Sequence, residues 1–420
     1  MDKYVVHGGR PLAGVIDVAG SKNTQFHNMA AALLTGESVR FTRVPVLRDV
    51  ETMGRLLRTL GATVEIADGT CTIGAASLNG ADAPYDLVRT MRASFVVLGP
   101  LLARLGRARV SLPGGCAIGA RPVDFHLKGL AAMGAEVTIS GGYVEARAAR
   151  LHGADIAFET VSVGATLHLM MAAALAEGRT GLANAAREPE IVDMAALLNA
   201  MGGRVTGAGT DRIDVEGVNR LHGAVHDNLP DRIEAGTFLV LSLMSRGALA
   251  VRGVPRAHLA ALEAKLREAG GALQEEDGTV RVAGPDRWRA ADISTVPYPG
   301  FVTDLQAPWT TLMALAEGTA VIRETIYENR FQHVSELDRM GADIAVRGST
   351  AIIRGIRALK GAPVMVSDLR AGAALVLAGL AAEGTTEIHR VYHLDRGYER
   401  LTEKLRAVGA DIERVPGPQV

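Results

Sequence analysis

LLRTLGATVEI (56–66) and LKGLAAMGAEVTI (127–139) are two copies of one phrase, and four more follow: LLNAMGGRVTG (197–207), AKLREAGGALQ (264–274), ELDRMGADIAV (336–346) and EKLRAVGADIERV (403–415). Each runs from an amphipathic segment through a glycine into a β-like stretch. The glycines are Gly61, Gly134, Gly202, Gly270, Gly341 and Gly409, about 70 residues apart, a spacing longer than the 20–50 residues of solenoid repeats. The phrase therefore marks six globular modules rather than the turns of a solenoid.

A second helix-like run closing on glycine precedes each copy: ALLTGE (32–37), LLARLGR (101–107), AALAEGRT (173–180), LSLMSRGA (241–248), ALAEGTA (314–320) and LAAEGTTE (380–387). Each module thus carries two helices, both with glycine where a left-handed C-cap is expected. Apolar spacing supports helix, with Val50, Met53, Leu56, Leu57 and Leu60 on one stripe and Leu401, Leu405 and Val408 on another. Short β-rich runs fill the spaces: RVSLPG (109–114), AEVTIS (135–140), GYVEARA (142–148), DRIDVEGV (211–218) and TAIIRGI (350–356). The expected unit is βαβαββ, an α+β class with helices buried against small sheets. Six modules divide into three and three, and the polar stretch around Asn228, Leu229, Pro230 and Asp231 is a natural crossing point. The interface between two such lobes is a favoured ligand site.

Composition bounds the function. At 420 residues the chain is too long for one ordinary core, and two domains of about 200 residues are expected. No uninterrupted apolar run reaches the roughly 20 residues of a membrane span. The beginning, MDKYVVHGGRPLAG, lacks the basic segment, apolar core and cleavage site of a secretory signal, so a cytoplasmic location is expected. Lys and Arg total 45 against 46 Asp and Glu, intermixed, which announces neither a nucleic-acid nor a membrane partner. Any anionic ligand has to be met by local clusters. Cys71 and Cys116 are expected as free thiols, with Cys71, in TCTIGA, reading as a small apolar strand residue. The eleven histidines show no metal-ligand spacing, so neither metal nor cofactor is expected. GAGTDR (207–212) is no dinucleotide loop, because a strand-like run follows it rather than a helix.

Polar motifs overlie the repeat. GSKN (20–23) precedes the apolar run FHNMAAALL and sets Lys22 and Asn23 at a helix start, where free N–H groups and a cation suit a phosphate or carboxylate. Such a lysine is also commonly just solvated. PYDLVRTMRAS (84–94) carries Arg89 and Arg92 at helical spacing. LPGGCAIGARPVD (112–124) holds Cys116 and Arg121 in a glycine-rich loop whose backbone permits large changes. In NAAREPEIVD (184–193), Arg187, Glu188, Glu190 and Asp193 crowd a turn around Pro189. TDLQA (Asp304), YENRFQH (Arg330), SDLRAG (Asp368, Arg370) and DRGYER (Arg396, Arg400) recur at comparable places in the last two modules. A neutral chain that repeatedly sets Arg or Lys in Gly/Ser/Asp loops is built around an anion.

Together these stretches, with VSVGAT (161–166), LPDRIEAGTFL (229–239) and HLDRGYERL (393–401), resemble the enolpyruvyl transferases, and among them the UDP-N-acetylglucosamine 1-carboxyvinyltransferases of peptidoglycan precursor synthesis. The resemblance runs nearly end to end. It implies two inverse α/β domains of three βαβαββ-type subunits each, the α/β prism arrangement, with residues 22–229 in one and 1–21 plus 230–420 in the other. It further implies a mobile cysteine loop at 112–122 and an active site in the interdomain cleft. The implied activity moves the enolpyruvyl group of phosphoenolpyruvate to the sugar 3′-hydroxyl by addition and elimination, releasing phosphate. Lys22, Asn23, Arg121 and Arg396 match the phosphoenolpyruvate contacts. Arg92, Arg121, Pro122, Val123, Asp124, Phe125, Val161, Ser162, Val163, Asp304 and Ile326 match the UDP-sugar site. Asp304 matches the base near the hydroxyl and Cys116 the proton-donating thiol, while Glu188, Arg330, Asp368 and Arg370 match polar cleft positions.

The residue chemistry agrees with that assignment. Protonating a vinyl carbon while an oxygen attacks its neighbour needs an acid and a base together. A thiol with an ordinary pKa of about 8.5 is mostly protonated at neutral pH, and a nearby guanidinium stabilises the thiolate left behind. Thr160 stands where the family commonly has lysine, and TQFHNMAA, Tyr298, Gly300 and Trp309 also depart from the pattern. These departures keep two alternatives in view, a related transferase acting on a nucleotide such as UMP and a silent UDP-sugar-binding paralogue.

Overall fold

The structure is a computed structural model that describes residues 2–88, 91–112 and 123–417. Cys116, Arg121 and Pro122, with the rest of 113–122, and Arg89 lie outside the described residues. The chain divides into two compact units, changing from one to the other after Ala19 and again after Leu229.

Among the described residues six four-stranded sheets form, one per module, all with the same strand order. The third module shows the rule. Asp155–Ala157 lies parallel to Arg179–Ala183, with Ile156 opposite Leu182, because the helix Val163–Ala173 carries the chain back between them. The helix Pro189–Ala200 then leads to Arg204–Thr206 and the hairpin partner Arg212–Glu216, which inserts antiparallel between the second and third strands. This is the expected βαβαββ unit. Because Arg212–Glu216 is a strand, the GAGTDR glycines before it open no helix.

Chain ends complete the modules. In the unit from Gly20 to Leu229, the first module takes its outer strand from Val225–Asp227, paired parallel with Val39–Thr42. In the other unit, Lys3–His7 is the hairpin strand of the sixth module, between Thr385–His389 and Asp411–Val415. Gly14–Asp17 is the outer strand of the fourth, parallel to Leu249–Arg252.

The two helices of a module differ in kind. The outer helix Arg48–Thr59 buries the predicted stripe, with Val50, Met53, Leu56 and Leu57 at most 1 % exposed. The inner helices have no stripe. Every residue of Arg232–Met244 is buried, as is Arg370 to Leu380 of Leu369–Ala381, since a helix enclosed on all sides is apolar all round. In this unit Arg232–Met244, Gln306–Ala314 and Leu369–Ala381 pack on one another inside their three sheets.

All six phrase glycines adopt positive φ, from 88° at Gly134 to 100° at Gly270, as left-handed C-caps require. The second glycine set behaves differently. Gly106, Gly178, Gly318 and Gly384 are left-handed, whereas Gly36 is not, and in LSLMSRGA the left-handed residue is Arg246. Gly247 is needed there for closeness instead: a Cβ on it would sit 2.0 Å from the Leu12 carbonyl oxygen. Cys71 is a free thiol, fully buried in the strand Thr70–Gly74, and burial pushes it up to about 12. Trp309 is also fully buried, edge-on to Phe301, so its departure from the family pattern belongs to packing. No helix among the described residues is long and apolar enough to cross a membrane.

Candidate functional site

In the unit from Gly20 to Leu229 the polar motifs gather where helices begin. Ser21 caps the inner helix Lys22–Ala31 by accepting from the Thr24 N–H at 3.3 Å, which puts Lys22 at its first position. The Lys22 ammonium pairs with Asp49, in the first turn of the outer helix, at 2.8 Å. The Asn23 carbonyl accepts from His27 at 2.7 Å. One turn further, Asn28 donates to Asp193 at 2.8 Å, and the other Asp193 oxygen meets His226 at 3.0 Å. NAAREPEIVD is therefore a helix start rather than a free turn. Pro189 occupies the first helical position, where its missing N–H costs nothing, with Glu188 buried before it and Asp193 facing inward.

A second group lies beside the third inner helix. Ser162 caps Val163–Ala173 by accepting from the Ala165 N–H at 3.3 Å, leaving Thr160 and Val161 exposed. Asp124 opens the helix Asp124–Ala132, and its Oδ1 is buried without a hydrogen bond among the described residues. Val123 is half-buried, and Phe125 stands edge-on to Phe158 at 6.1 Å. His126 Nδ1 lies 3.1 Å from His168 Nδ1, while His168 Nε2 accepts from the Gly99 N–H at 2.7 Å. That acceptor role fixes the tautomer: His168 donates through Nδ1, and burial holds its pKa well below the usual range. Arg92 opens the short helical segment Arg92–Val97.

In the unit containing both ends of the chain, Asp304 is the centre. It sits in the turn Thr303–Leu305 that leads into the inner helix Gln306–Ala314. One carboxylate oxygen accepts from Arg330 Nη2 at 2.7 Å, the other from Arg370 Nε at 3.1 Å and Nη2 at 2.9 Å. Burial pushes the carboxyl up, but Arg370 and Arg330 outweigh it and hold Asp304 far below the carboxylate range. Both arginine side chains are only 5 % exposed, and each keeps a buried Nη1 with no partner among the described residues. Arg370 also lies 5.6 Å from the Tyr398 ring centroid. Asp368 caps Leu369–Ala381, accepting from the Arg370 and Ala371 N–H groups at 2.9 and 3.1 Å. Arg396 ends the segment Val391–Arg396 packed on that helix and is half-buried, whereas Arg400 is exposed near Glu403 at 3.8 Å.

Three buried charged residues escape motif reading. Glu324, 2 % exposed, accepts from Thr295 and from Thr303, the neighbour of Asp304, and also from the Ile326 and Tyr327 N–H groups at 2.8 and 3.1 Å. It thereby sets the Ile326 turn and the Asp304 turn together. Asp49 is the second. Arg232, 7 % exposed, is the third; it follows the helix cap Asp231 as Lys22 follows Ser21. The stretch LPDRIEAGTFL contained Arg232 without singling it out, and nothing in the sequence marked the other two.

The arrangement has a definite chemistry: buried cations at capped helix starts, with unmet donors beside an ionised carboxylate, are suited to an oxyanion and a hydroxyl. Comparison with known proteins bears on which ones. Residues 6–405 match the family model described as EPSP synthase (3-phosphoshikimate 1-carboxyvinyltransferase). The chain is 56 % identical over 419 residues, 100 % of each chain, to the UDP-N-acetylglucosamine 1-carboxyvinyltransferase of Trichlorobacter lovleyi. It is 56 % identical over 416 residues to the enzyme of that name from Acidiphilium cryptum, covering 99 % of this chain and 100 % of the other. Among solved structures, the enolpyruvyl transferase NikO of Streptomyces tendae superposes with a TM-score of 0.90 at 27 % identity, over 99 % of both chains. EPSP synthase of Acinetobacter baumannii, at 19 % identity and a TM-score of 0.76 over 99 % of this chain and 100 % of the other, shares the fold.

Proposed function

Since this chain belongs to the EPSP synthase family, with UDP-N-acetylglucosamine 1-carboxyvinyltransferases among its full-length relatives, we propose that it carries out their reaction with the residues described above. The enolpyruvyl group of phosphoenolpyruvate moves to the 3′-hydroxyl of UDP-N-acetylglucosamine and phosphate leaves, the entry to peptidoglycan precursors for the cell wall. The full-length identity favours this acceptor over UMP, and an intact set of Lys22, Cys116, Asp304 and Arg396 speaks against a silent paralogue.

Lys22, Asn23, Arg121 and Arg396 hold phosphoenolpyruvate. Its several negative charges need converging cations, since one charge pair at 4 Å supplies only about 4 kcal/mol at an effective dielectric of 20, before desolvation. Arg92, 121–125, Thr160 to Val163 and Ile326 hold the UDP-sugar, with Thr160 offering a hydroxyl where the family commonly has a lysine. Cys116 delivers a proton to the vinyl carbon as the sugar oxygen attacks the adjacent carbon, and loss of a proton from the new methyl group expels phosphate. Asp304 receives the attacking hydroxyl. The observation that supports its role is the double grip of Arg330 and Arg370, which keeps the carboxylate ionised and aimed. The same grip makes it a weak proton acceptor, so it orients the hydroxyl first and takes the proton only as the guanidiniums loosen. Glu188, Asp368, Arg330 and Arg370 complete the polar walls. No cofactor or metal enters, neither nucleic acid nor membrane is a partner, and the protein works in the cytoplasm.

The test is phosphate release from phosphoenolpyruvate with UDP-N-acetylglucosamine, UMP or shikimate 3-phosphate as acceptor. Release with UDP-N-acetylglucosamine alone is expected; release with none leaves the silent paralogue. Cys116→Asp should keep measurable turnover, because an acid remains, and escape fosfomycin, because the alkylated thiol is gone. Full inhibition of that variant would overturn the thiol's assignment.

A further inference from the structure

At the opposite ends of the inner helices from Lys22 and Val163, the unit from Gly20 to Leu229 contains a cavity of about 550 Å³. Three arginines line it: Arg104, near the end of Leu98–Leu105, and Arg150 and Arg220, from the links after the last strands of the second and third modules. Those links carry the same four residues, RLHG at 150–153 and at 220–223. In the first module the equivalent stretch is SLNG (77–80), so Ser77 stands where the others have arginine.

None of the three arginines makes an ion pair among the described residues, and no Asp or Glu lines the cavity. Arg104 uses Nη1 to cap the Leu33 and Thr35 carbonyls at 2.8 and 2.6 Å, and its Nη2 passes Gly36, where a Cβ would lie 3.4 Å away. Among the described residues Arg150 donates to the neutral Asn219, at 2.9 Å, and Arg220 has no side-chain hydrogen bond or ion pair. The other unit shows the neutralised version: Arg287 precedes Trp288 as Arg220 precedes Leu221, and it pairs with Glu317 at 3.1 Å.

Three guanidiniums line one concavity, and their planar forks match phosphoryl oxygens. The cavity volume falls within the range of small-molecule pockets, about 300–1,000 Å³. We propose that this cavity is a second anion site, for a small molecule bearing a diphosphate or an equivalent pair of phosphoryl charges. Twelve residues separate Lys22 from Leu34, roughly 18 Å at 1.5 Å per residue, so an occupant does not overlap the phosphoenolpyruvate contacts.

The test is calorimetric titration of the full chain with pyrophosphate and, separately, with ADP, in saturating UDP-N-acetylglucosamine, for the wild type and an Arg150→Ser/Arg220→Ser double variant. Serine is the first module's own residue at that place, and both arginines are exposed, so folding should be preserved. One site per chain is expected in the wild type, weakened at least tenfold in the double variant, with kcat and both KM values unchanged. Tighter binding of ADP than of pyrophosphate would make the occupant a nucleotide, and the reverse a simple diphosphate. Equal binding by the two proteins, or no binding once UDP-N-acetylglucosamine is present, overturns the proposal.

Discussion

The Lys22 ammonium lies 2.8 Å from the Asp49 carboxylate, and the two side chains are only 10 % and 5 % exposed. Breaking a buried pair from one side strands a charge and costs about 3–5 kcal/mol. Both residues have further partners, which favours the lower end for Asp49→Asn, about 3 kcal/mol. If Lys22 holds phosphoenolpyruvate, the ligand supplies the missing negative charge in that variant. Thermal melts should then show a larger rise in Tm with phosphoenolpyruvate for Asp49→Asn than for the wild type. An equal rise would detach Lys22 from the ligand.

Asp304 leads to a kinetic prediction. Its folded-state pKa is depressed by Arg370 and Arg330, so its contribution to stability is present above the ordinary Asp value, about 3.9, and disappears only as pH falls through the depressed value. Between pH 5 and 9 the kcat profile should show no break from Asp304. Arg330→Met removes one of the two cations and should bring an acid limb into view. Asp304→Asn should lower kcat by about 10²–10⁴ while KM for the UDP-sugar changes far less. A profile unmoved in Arg330→Met would mean that the carboxylate takes no part in the rate-limiting proton transfer.

Buried histidines contribute to the acid sensitivity of both units. Burial lowers His27 to about 4, against weaker upward pulls from the Asn23 carbonyl and Glu190; His333 falls to about 4 for the same first reason. The unfolded chain binds those protons near pH 6.5 and the folded chain does not, so stability is full above that value and declines toward pH 4. At pH 5 each such histidine accounts for about 2 kcal/mol of lost stability. Urea unfolding at pH 7.5 and pH 5 should show the loss, and His27→Phe should shrink it by about 2 kcal/mol. An identical difference in that variant would place the acid sensitivity elsewhere.

How much of this was legible in the sequence depends on how local each signal is. The module repeat could be read because one backbone event, a helix ending in a left-handed glycine, recurs at Gly61 and its five counterparts. The helix start at Lys22 could be read because GSKN precedes the apolar run FHNMAAALL, and Ser21 is its cap. The inner helices show no amphipathic stripe, since sheets and neighbouring helices enclose them, and their type had to be inferred from length and flanking glycines. Asp49 and Glu324 were invisible because a partner 27 residues away, or a glutamate ending a strand, follows no spacing rule. The Arg104, Arg150 and Arg220 cluster was hidden for the same reason: RLHG occurs twice, but only the fold brings its arginines to one cavity.

The two glycine sets make the fold itself testable. Gly341 has φ 90° and nothing within 4 Å of an added Cβ, so Gly341→Ala pays for backbone alone, about 1–2 kcal/mol. Gly341→Asn should cost less, because asparagine tolerates the left-handed region. Gly247 has an ordinary φ, yet its added Cβ would stand 2.0 Å from the Leu12 carbonyl oxygen, in the segment joining the strands of the sixth and fourth modules. Gly247→Ala must push that segment away, and with it the Leu12 N–H donated to the Ser245 carbonyl at 3.3 Å. Chemical denaturation should therefore rank Gly247→Ala as the most destabilising of the three. If it proves milder than Gly341→Ala, Leu12 does not run against the end of the fourth module's inner helix.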